Sequence, residues 1–316
     1  MINTPICDLL GIKYPIFQGG MAWISDAGLA AAVSNGGGLG IISAMNADAR
    51  YLREQIKKAR ELTNKPFGVN IMLMSPFVDE VAAVAADERV PVVTTGAGNP
   101  AKYMKDWLAA GVKVVPVVAS VALAKLVTRA GACAVIAEGV ESGGHVGETT
   151  TMALVPQVYD ATDLPVIAAG GIGDGRGIAA AFMLGAAGVQ LGTRFLVADE
   201  CAVHPNYKEK ILKATDIATV VTGKRLGHPV RSLKTPFSRA YMKAEYNGNI
   251  NDEDLEAMGV GALRLAAIEG DPEKGCYPSG QIAGLVKKAQ PAAEIIREVF
   301  NEAEIILRGA DRWIEV

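Results

Sequence analysis

The sequence predicts a (β/α)8 TIM barrel with a smaller appended subdomain. Three observations support this fold class: eight short apolar runs rich in Val and Ile, helical segments between them, and a glycine-containing junction that recurs between helix and strand. Apolar runs that do not alternate with polar residues are typical of strands covered on both faces, as in parallel sheets. Eight βα units favour a barrel, because open doubly wound sheets usually have about five or six parallel strands.

The repeating units occupy the part of the chain before residue 199. The candidate strands are Pro15–Gly20, Leu39–Ala44, Pro66–Leu73, Val90–Gly98, Lys113–Ser120, Ala134–Gly139, Pro165–Ile172 and Gly188–Phe195. The clearest helical segments are Ala49–Leu62, Ala101–Ala110, Val121–Ala130 and Gly175–Gly185. Junctions in which a helix-ending glycine precedes the next strand occur at Asn35–Gly40, Ala110–Val114, Ala130–Val135 and Leu184–Val189.

The pattern changes from about Asp199, where a polar, glycine-containing stretch begins and includes an acidic helix-like run at Asn251–Met258. An amphipathic helix over Pro291–Arg308 ends the chain, and we expect it to pack on the barrel. We therefore predict a barrel domain from residues 1–198 and 284–316. Residues 199–283 are predicted to form a smaller subdomain that borders the ligand site.

Composition excludes several classes of protein. Half of the 316 residues are apolar, 21% are charged and the formal net charge is −3, so a globular core is expected. No basic run is present and aromatic residues are few, which argues against nucleic-acid binding. The longest uncharged apolar stretch, Gly177–Thr193, is too short to span a membrane. The N-terminus has no secretory signal pattern, so we expect a cytoplasmic protein.

The cysteines are Cys7, Cys133, Cys201 and Cys276, which are far apart in the sequence. They form no CxxC motif and no cluster with histidine, so neither a metal site nor a disulfide framework is predicted. We expect buried free thiols in a reducing compartment.

Two glycine-rich segments follow predicted strands at the end of the barrel where ligands bind. Ala169–Gly175 follows the seventh strand, and Gly192–Arg194 follows the eighth. These are the two loops that barrel enzymes often use to bind phosphate, because glycine lets backbone N–H groups converge on an anion. The dipole of the following helix should add to the attraction, and Thr193 offers a hydroxyl donor. Neither segment matches a P-loop or a Rossmann fingerprint.

His145 follows the sixth strand in a glycine-rich loop, where an imidazole could exchange a proton with a ligand near neutral pH. The alternative is a histidine that only stabilises the loop. His204 and His228 lie in the predicted subdomain, where we favour surface or packing roles. The sequence supports no catalytic triad.

Other strand ends carry polar groups suited to a flat heterocycle. Backbone groups at residues 20–22 and the Asn70 amide offer alternating donors and acceptors, as a peptide or amide does. Thr94–Asn99 follows the fourth strand and Glu138 ends the sixth. Each is more often a core or turn residue when taken alone, but together they predict a mouth wider than a sugar phosphate needs.

These segments are similar to one known family. The chain resembles the nitronate monooxygenase and enoyl-acyl-carrier-protein reductase II family over almost its whole length, including the 2-nitropropane dioxygenase-like proteins. The matching segments are Pro15–Trp23, Lys65–Ile71, Thr94–Pro100, Gly143–His145, Ala168–Ile172, Gly192–Phe195, His204–Lys208 and Gly280–Leu285.

The resemblance implies FMN on the barrel and His145 at the catalytic position. With the strand ends, it gives a predicted set of cofactor-binding residues: Gly20, Met21, Ala22, Asn70, Glu138, Gly143, Gly144, Ala169, Gly170, Gly171, Gln190, Gly192 and Thr193. NADH or NADPH would reduce FMN, and the electrons would then pass to the β-carbon of a trans-2-enoyl thioester on acyl-carrier protein or CoA. A monovalent cation is a further candidate ligand, and the resemblance suggests a homodimer.

Within the family, Pro66–Leu73 and Thr95–Met104 look most like the reductases, so we rank enoyl reduction in fatty-acid elongation first. The alternatives are oxidation of alkyl nitronates with O2 and a non-catalytic flavin- or phosphate-binding barrel. Gly275–Gly280 departs from the family pattern, which has Gly-Ser, two apolar residues and Ala before Gly-Gln. This segment is expected to border the active site, so the shape of the acyl or nicotinamide pocket stays open.

Overall fold

A computed structural model describes residues 2–45, 47–248 and 250–313, and eight parallel strands form a barrel at its centre. They are β1 (Ile16–Gln18), β2 (Gly40–Ser43), β3 (Phe67–Met72), β4 (Val92–Gly96), β5 (Lys113–Val118), β6 (Val135–Glu138), β8 (Val166–Ala169) and β9 (Gly188–Leu191), with a short strand β7 (Gly144–His145) after β6. Their order is β1-β9-β8-β6-β5-β4-β3-β2. The two ends meet where the Leu39 N–H donates to Ile16 O at 2.8 Å and the Gln18 N–H donates to Leu39 O at 3.0 Å.

Each barrel strand lies inside a predicted apolar run, so the predicted fold class is confirmed. All positions of β2, β8 and β9 are buried. Such two-sided burial explains why these strands contain few polar residues and show no alternation.

Helices surround the barrel. In the first part of the chain they are α1 (Pro5–Leu10), α2 (Ala27–Asn35), α3 (Ala49–Leu62), α4 (Val78–Asp87), α5 (Ala101–Ala109), α6 (Val121–Arg129), α7 (Thr151–Tyr159), α8 (Gly175–Met183) and α9 (Thr193–Leu196). The bounds of α3 are those predicted. The predicted junction glycines Gly111, Gly131 and Gly185 have φ of 78°, 99° and 96°, the left-handed backbone that ends a helix before the next strand. The short helix α1 was not predicted.

Residues after 199 add further helices and a small sheet. The elements are α10 (Pro205–Leu212), β10 (Thr219–Thr222), β11 (Val230–Leu233), α11 (Pro236–Glu245), α12 (Asp252–Gly259), α13 (Ala262–Arg264) and α14 (Ala292–Arg308). The acidic run forms α12, and the amphipathic C-terminal helix α14 packs against α8 and α2, as predicted.

The small sheet joins this part of the chain to the barrel. Strands β10 and β11 are antiparallel, and β11 also pairs with β7 from the loop after β6. Tyr207 and Tyr277 belong to the same hydrophobic core cluster as Val166 of the barrel. The two parts share this core, so the core does not mark a boundary between them. The division into a barrel and a separate subdomain stays a prediction.

The four cysteines are free thiols, with Cys7 and Cys201 buried and Cys133 and Cys276 partly exposed. The prediction of buried thiols is thus correct for only two of them. Within the described ranges, no helix is long and apolar enough to cross a membrane.

Candidate active site

A cavity of about 650 Å³ opens at the carboxyl ends of the barrel strands, a size suited to a cofactor or another small ligand. The ends of β1, β3, β4, β6, β8 and β9 contribute to it, together with residues after 199. The structure brings every predicted site residue to its wall: Gly20, Met21, Ala22, Asn70, Glu138, Gly143, Gly144, His145, Ala169, Gly170, Gly171, Gln190, Gly192 and Thr193. Their individual roles stay predictions.

The loop after β1 lies against Asn70. A Cβ atom on Gly20 would be 2.3 Å from the Asn70 Cβ, so only glycine allows this approach. Asn70 Nδ2 donates to Thr94 Oγ1 at 3.0 Å, which fixes the amide at the cavity wall. The Met21 N–H donates to Ser25 Oγ at 2.9 Å. Met21 can therefore meet a ligand through its other atoms, but its N–H is already used.

The two predicted phosphate loops present free donors to the cavity. Gly170 and Gly171 have φ of 86° and 71°, which a residue with a side chain rarely adopts. The N–H groups of Gly171, Ile172 and Gly192 donate to no other residue that the structure describes. Thr193 Oγ1 accepts from the Gly280 N–H at 2.9 Å, which leaves its own hydrogen available to a ligand. These groups form a concave surface suited to an anion.

The first N–H groups of α8 are bonded to carboxylates of the protein itself. Asp174 Oδ1 accepts from the N–H groups of Arg176 and Gly177 at 3.0 and 3.2 Å, and Glu302 Oε2 accepts from the Gly175 N–H at 2.8 Å. Two carboxylates of the protein accept from these N–H groups, so they are not free for a ligand phosphate. The predicted dipole attraction stays a prediction. Only the turn before the helix faces the cavity.

Two carboxyl groups lie near the end of β6. Loss of solvation raises the pKa of Glu138 to about 7, and the Ser142 hydroxyl partly offsets this by stabilising the carboxylate. Glu141, which was not predicted as a site residue, accepts from the Thr151 N–H at 2.9 Å and from Thr151 Oγ1 at 3.0 Å. Thr151 Oγ1 also lies 2.9 Å from Gly170 O. Glu141 therefore holds the loop that leads to His145.

Two histidines, not one, line the cavity. His145 lies on β7, where desolvation lowers its pKa and the charge of His228 lowers it further. A surface or packing role was predicted for His228. This prediction is wrong, because the residue is also part of the cavity wall. His204 is not in the cavity wall, and its Nδ1 accepts from the Asn206 N–H at 3.1 Å at the start of α10.

The segment that departs from the predicted pattern borders the cavity as expected. Cys276, Pro278 and Gly280 are in its wall, and the Gln281 N–H donates to Glu141 O at 2.9 Å. The neighbouring apolar wall comes from Phe237, Tyr241 and Leu263, none of which was predicted. No sequence signal marks them, because they reach the barrel mouth only through the packing of α11 and α13.

Residues 3–88 and 74–302 match the family model for nitronate monooxygenase. The chain belongs to this family. A relative in Rhodococcus jostii (strain RHA1), named (3aS,4S,5R,7aS)-5-hydroxy-7a-methyl-1-oxo-octahydro-1H-indene-4-carboxyl-CoA dehydrogenase, is 38% identical over 341 residues, covering 96% of each chain.

Two solved structures extend the comparison. FabK from Thermotoga maritima is 52% identical, with a TM-score of 0.97 over 99% of this chain and 100% of that chain. A nitroalkane oxidase from Streptomyces ansochromogenes is 30% identical, with a TM-score of 0.86 over 96% of this chain and 99% of that one. The predicted family is thus confirmed, and the chain is an oxidoreductase by its relationships.

Proposed function

We propose that this protein is an FMN-dependent enoyl-acyl-carrier-protein reductase, which reduces trans-2-enoyl thioesters with NADH or NADPH in fatty-acid elongation. The observation that carries the proposal is the similarity to FabK, an enoyl-acyl-carrier-protein reductase II, at 52% identity along the whole chain. Both parts of the site needed for such a reaction, an anion-binding wall and an imidazole, line one cavity.

The residues present fit FMN. The free N–H groups of Gly171, Ile172 and Gly192 offer a place for its phosphate. The close approach of Gly20 to Asn70 brings backbone and amide groups together at the cavity wall, where they would meet the ring. The predicted cofactor-binding residues at the ends of β1, β3, β6, β8 and β9 would hold the rest.

When bound, FMN supplies two-electron transfer between a nicotinamide and the enoyl β-carbon. The chain itself positions the thioester and manages charge. Reduction of the double bond needs a hydride equivalent, which NADH or NADPH provides, and one further proton. The low pKa of His145 keeps its ring neutral near pH 7, so an N–H can donate to the thioester oxygen as negative charge develops there. Such acid and electrostatic assistance commonly accelerates a reaction about 10²- to 10⁴-fold.

Anaerobic flavin spectroscopy of the holoenzyme tests this function. We expect NADH or NADPH to bleach the flavin absorbance quickly and crotonyl thioester to restore it. The nitroalkane oxidase similarity makes nitronate oxidation the second candidate. If a nitronate bleaches the flavin and neither nicotinamide does, the reductase proposal fails. If none of these compounds bleaches it, a binding module without turnover is the better description.

Several further features are proposed with this function. We propose acyl-carrier protein or CoA as the thioester carrier, and the acyl-CoA compound in the name of the Rhodococcus relative supports a carrier of this kind. A cytoplasmic homodimer and a monovalent-cation site are proposed from the family resemblance alone.

A further inference from the structure

The strand that carries His145 is paired in a register that brings a second histidine close to it. His145 of β7 lies opposite Val230 of β11, and Gly144 lies opposite Arg231. The pairing continues one residue further, because the Val146 N–H donates to Pro229 O at 3.0 Å. His228 comes next, so it is the diagonal cross-strand neighbour of His145.

Both histidines line the same cavity. Residues directly opposite each other share a face, and residues two apart in a strand share a face. His145 and Val230 therefore point to one side, and His228, two residues before Val230, lines the same cavity as both of them. Diagonal neighbours are about 7–8 Å apart in an antiparallel pair. Two long side chains at this spacing can both contact one ligand group that lies between them. The effect of the His228 charge on the pKa of His145 agrees with this proximity.

The turn before His228 is held in place. Glu245 is buried, and its two carboxylate oxygens accept from the N–H groups of Gly223 and Arg225 at 3.1 and 2.9 Å. The His228 N–H donates to Gly223 O at 3.1 Å. These bonds fix the backbone from which the second imidazole reaches into the cavity.

We propose that His228 is a second catalytic residue, which donates a hydrogen bond to the same thioester oxygen as His145. This inference rests on the proposed enoyl reduction. Negative charge collects on that oxygen as the β-carbon gains a hydride equivalent, and two fixed N–H donors stabilise it better than one. No bond to either histidine forms or breaks in this step.

The test is His228→Ala in the holoenzyme, with the two half-reactions followed separately under anaerobic conditions. We expect flavin reduction by NADH or NADPH to change less than twofold. Restoration by crotonyl thioester should slow about 100-fold, as for loss of one oxyanion donor. His228→Gln supplies an N–H donor and should recover part of the rate, as should added imidazole with His228→Ala. In His145→Ala/His228→Ala the combined loss should be smaller than the product of the single losses.

His204→Asn is the matched control, because asparagine can still cap α10 and the side chain is outside the cavity wall. Unchanged thioester reaction in His228→Ala would overturn this inference and leave the proposed function standing. Equal slowing of both half-reactions, with loss of flavin, would also overturn it in favour of a structural role. Wild-type protein that never reacts with crotonyl thioester would overturn both.

Discussion

At the level of single residues, His145 joins the predicted chemistry to the observed fold. Its strand β7 is fixed by β11, and its loop is fixed by Glu141. We expect His145→Ala to slow the reaction with crotonyl thioester about 10²- to 10⁴-fold while flavin stays bound. Stopped-flow absorbance and the flavin content of the purified variant measure the two effects. Full activity in this variant would remove His145 from the mechanism.

Gly20 tests the close approach to Asn70. A Cβ atom at this position would be 2.3 Å from Asn70 Cβ and 2.6 Å from Asn70 Cγ. Gly20→Ala must displace the amide, so we expect a loss of about 1–3 kcal/mol in stability and at least about tenfold weaker FMN binding. Gly248→Ala is the control, since open space surrounds that glycine. Thermal melts measure the stability of the two variants, and fluorescence titration measures their FMN affinity. Equal stability and equal affinity in the two variants would contradict the expectation.

Glu138 makes stability depend on pH. Its pKa rises from 4.5 to about 7 on folding, so the folded protein holds this proton more tightly than the unfolded chain. The resulting stability is present below pH 4.5 and is lost as the pH rises through 7. In flavin-free protein, Glu138→Gln should gain stability relative to wild type between pH 5 and 8. The gain is at most about 3 kcal/mol, because the side chain faces the open cavity. Urea unfolding at both pH values measures it, and a pH-independent difference would contradict the assignment.

At the level of elements, a variant at the N-terminal end of α8 tests whether this end is a structural cap or a ligand site. Asp174 accepts from two N–H groups of the first turn. Asp174→Ala should cost about 1 kcal/mol of stability and leave the affinity for FMN unchanged within about twofold. Denaturant unfolding and a flavin titration give both values. A large loss of FMN affinity would show that this helix end does bind the phosphate.

The sequence allowed the eight barrel strands to be predicted because two-sided burial leaves a mainly apolar run in each. It also marked the junction glycines, whose left-handed backbone is a local requirement. Strands β10 and β11 form a local hairpin that was not predicted. The short strand β7 carries no comparable pattern, since its pairing with β11 joins residues about 85 positions apart. His228 was misassigned for this reason. A cap by Asp174 is a local feature that a sequence can indicate, because its partners are two and three residues away. Glu302 comes from the distant helix α14, so no local pattern indicates its bond to Gly175.

At the level of the whole molecule, one core connects the barrel with residues 199–283, so ligand binding should stabilise both together. FMN at 100 times its Kd should add about 2.7 kcal/mol and raise the Tm by several degrees. Riboflavin lacks the phosphate and should give a clearly smaller shift at the same concentration. Scanning calorimetry of flavin-free protein measures both shifts. Equal shifts would argue against a phosphate site at Gly171 and Gly192.

The pairing of β7 with β11 also has a dynamic consequence. Local unfolding of the 219–233 hairpin would release the backbone of His145 while the eight-stranded barrel kept its own hydrogen bonds. The amide of Val146, which bonds to Pro229 O, should then exchange with solvent deuterium at the rate of the hairpin and not at the slower rate of the barrel. Catalytic competence would then depend on this three-stranded sheet, and a protein with an intact barrel would be inactive while the sheet is open.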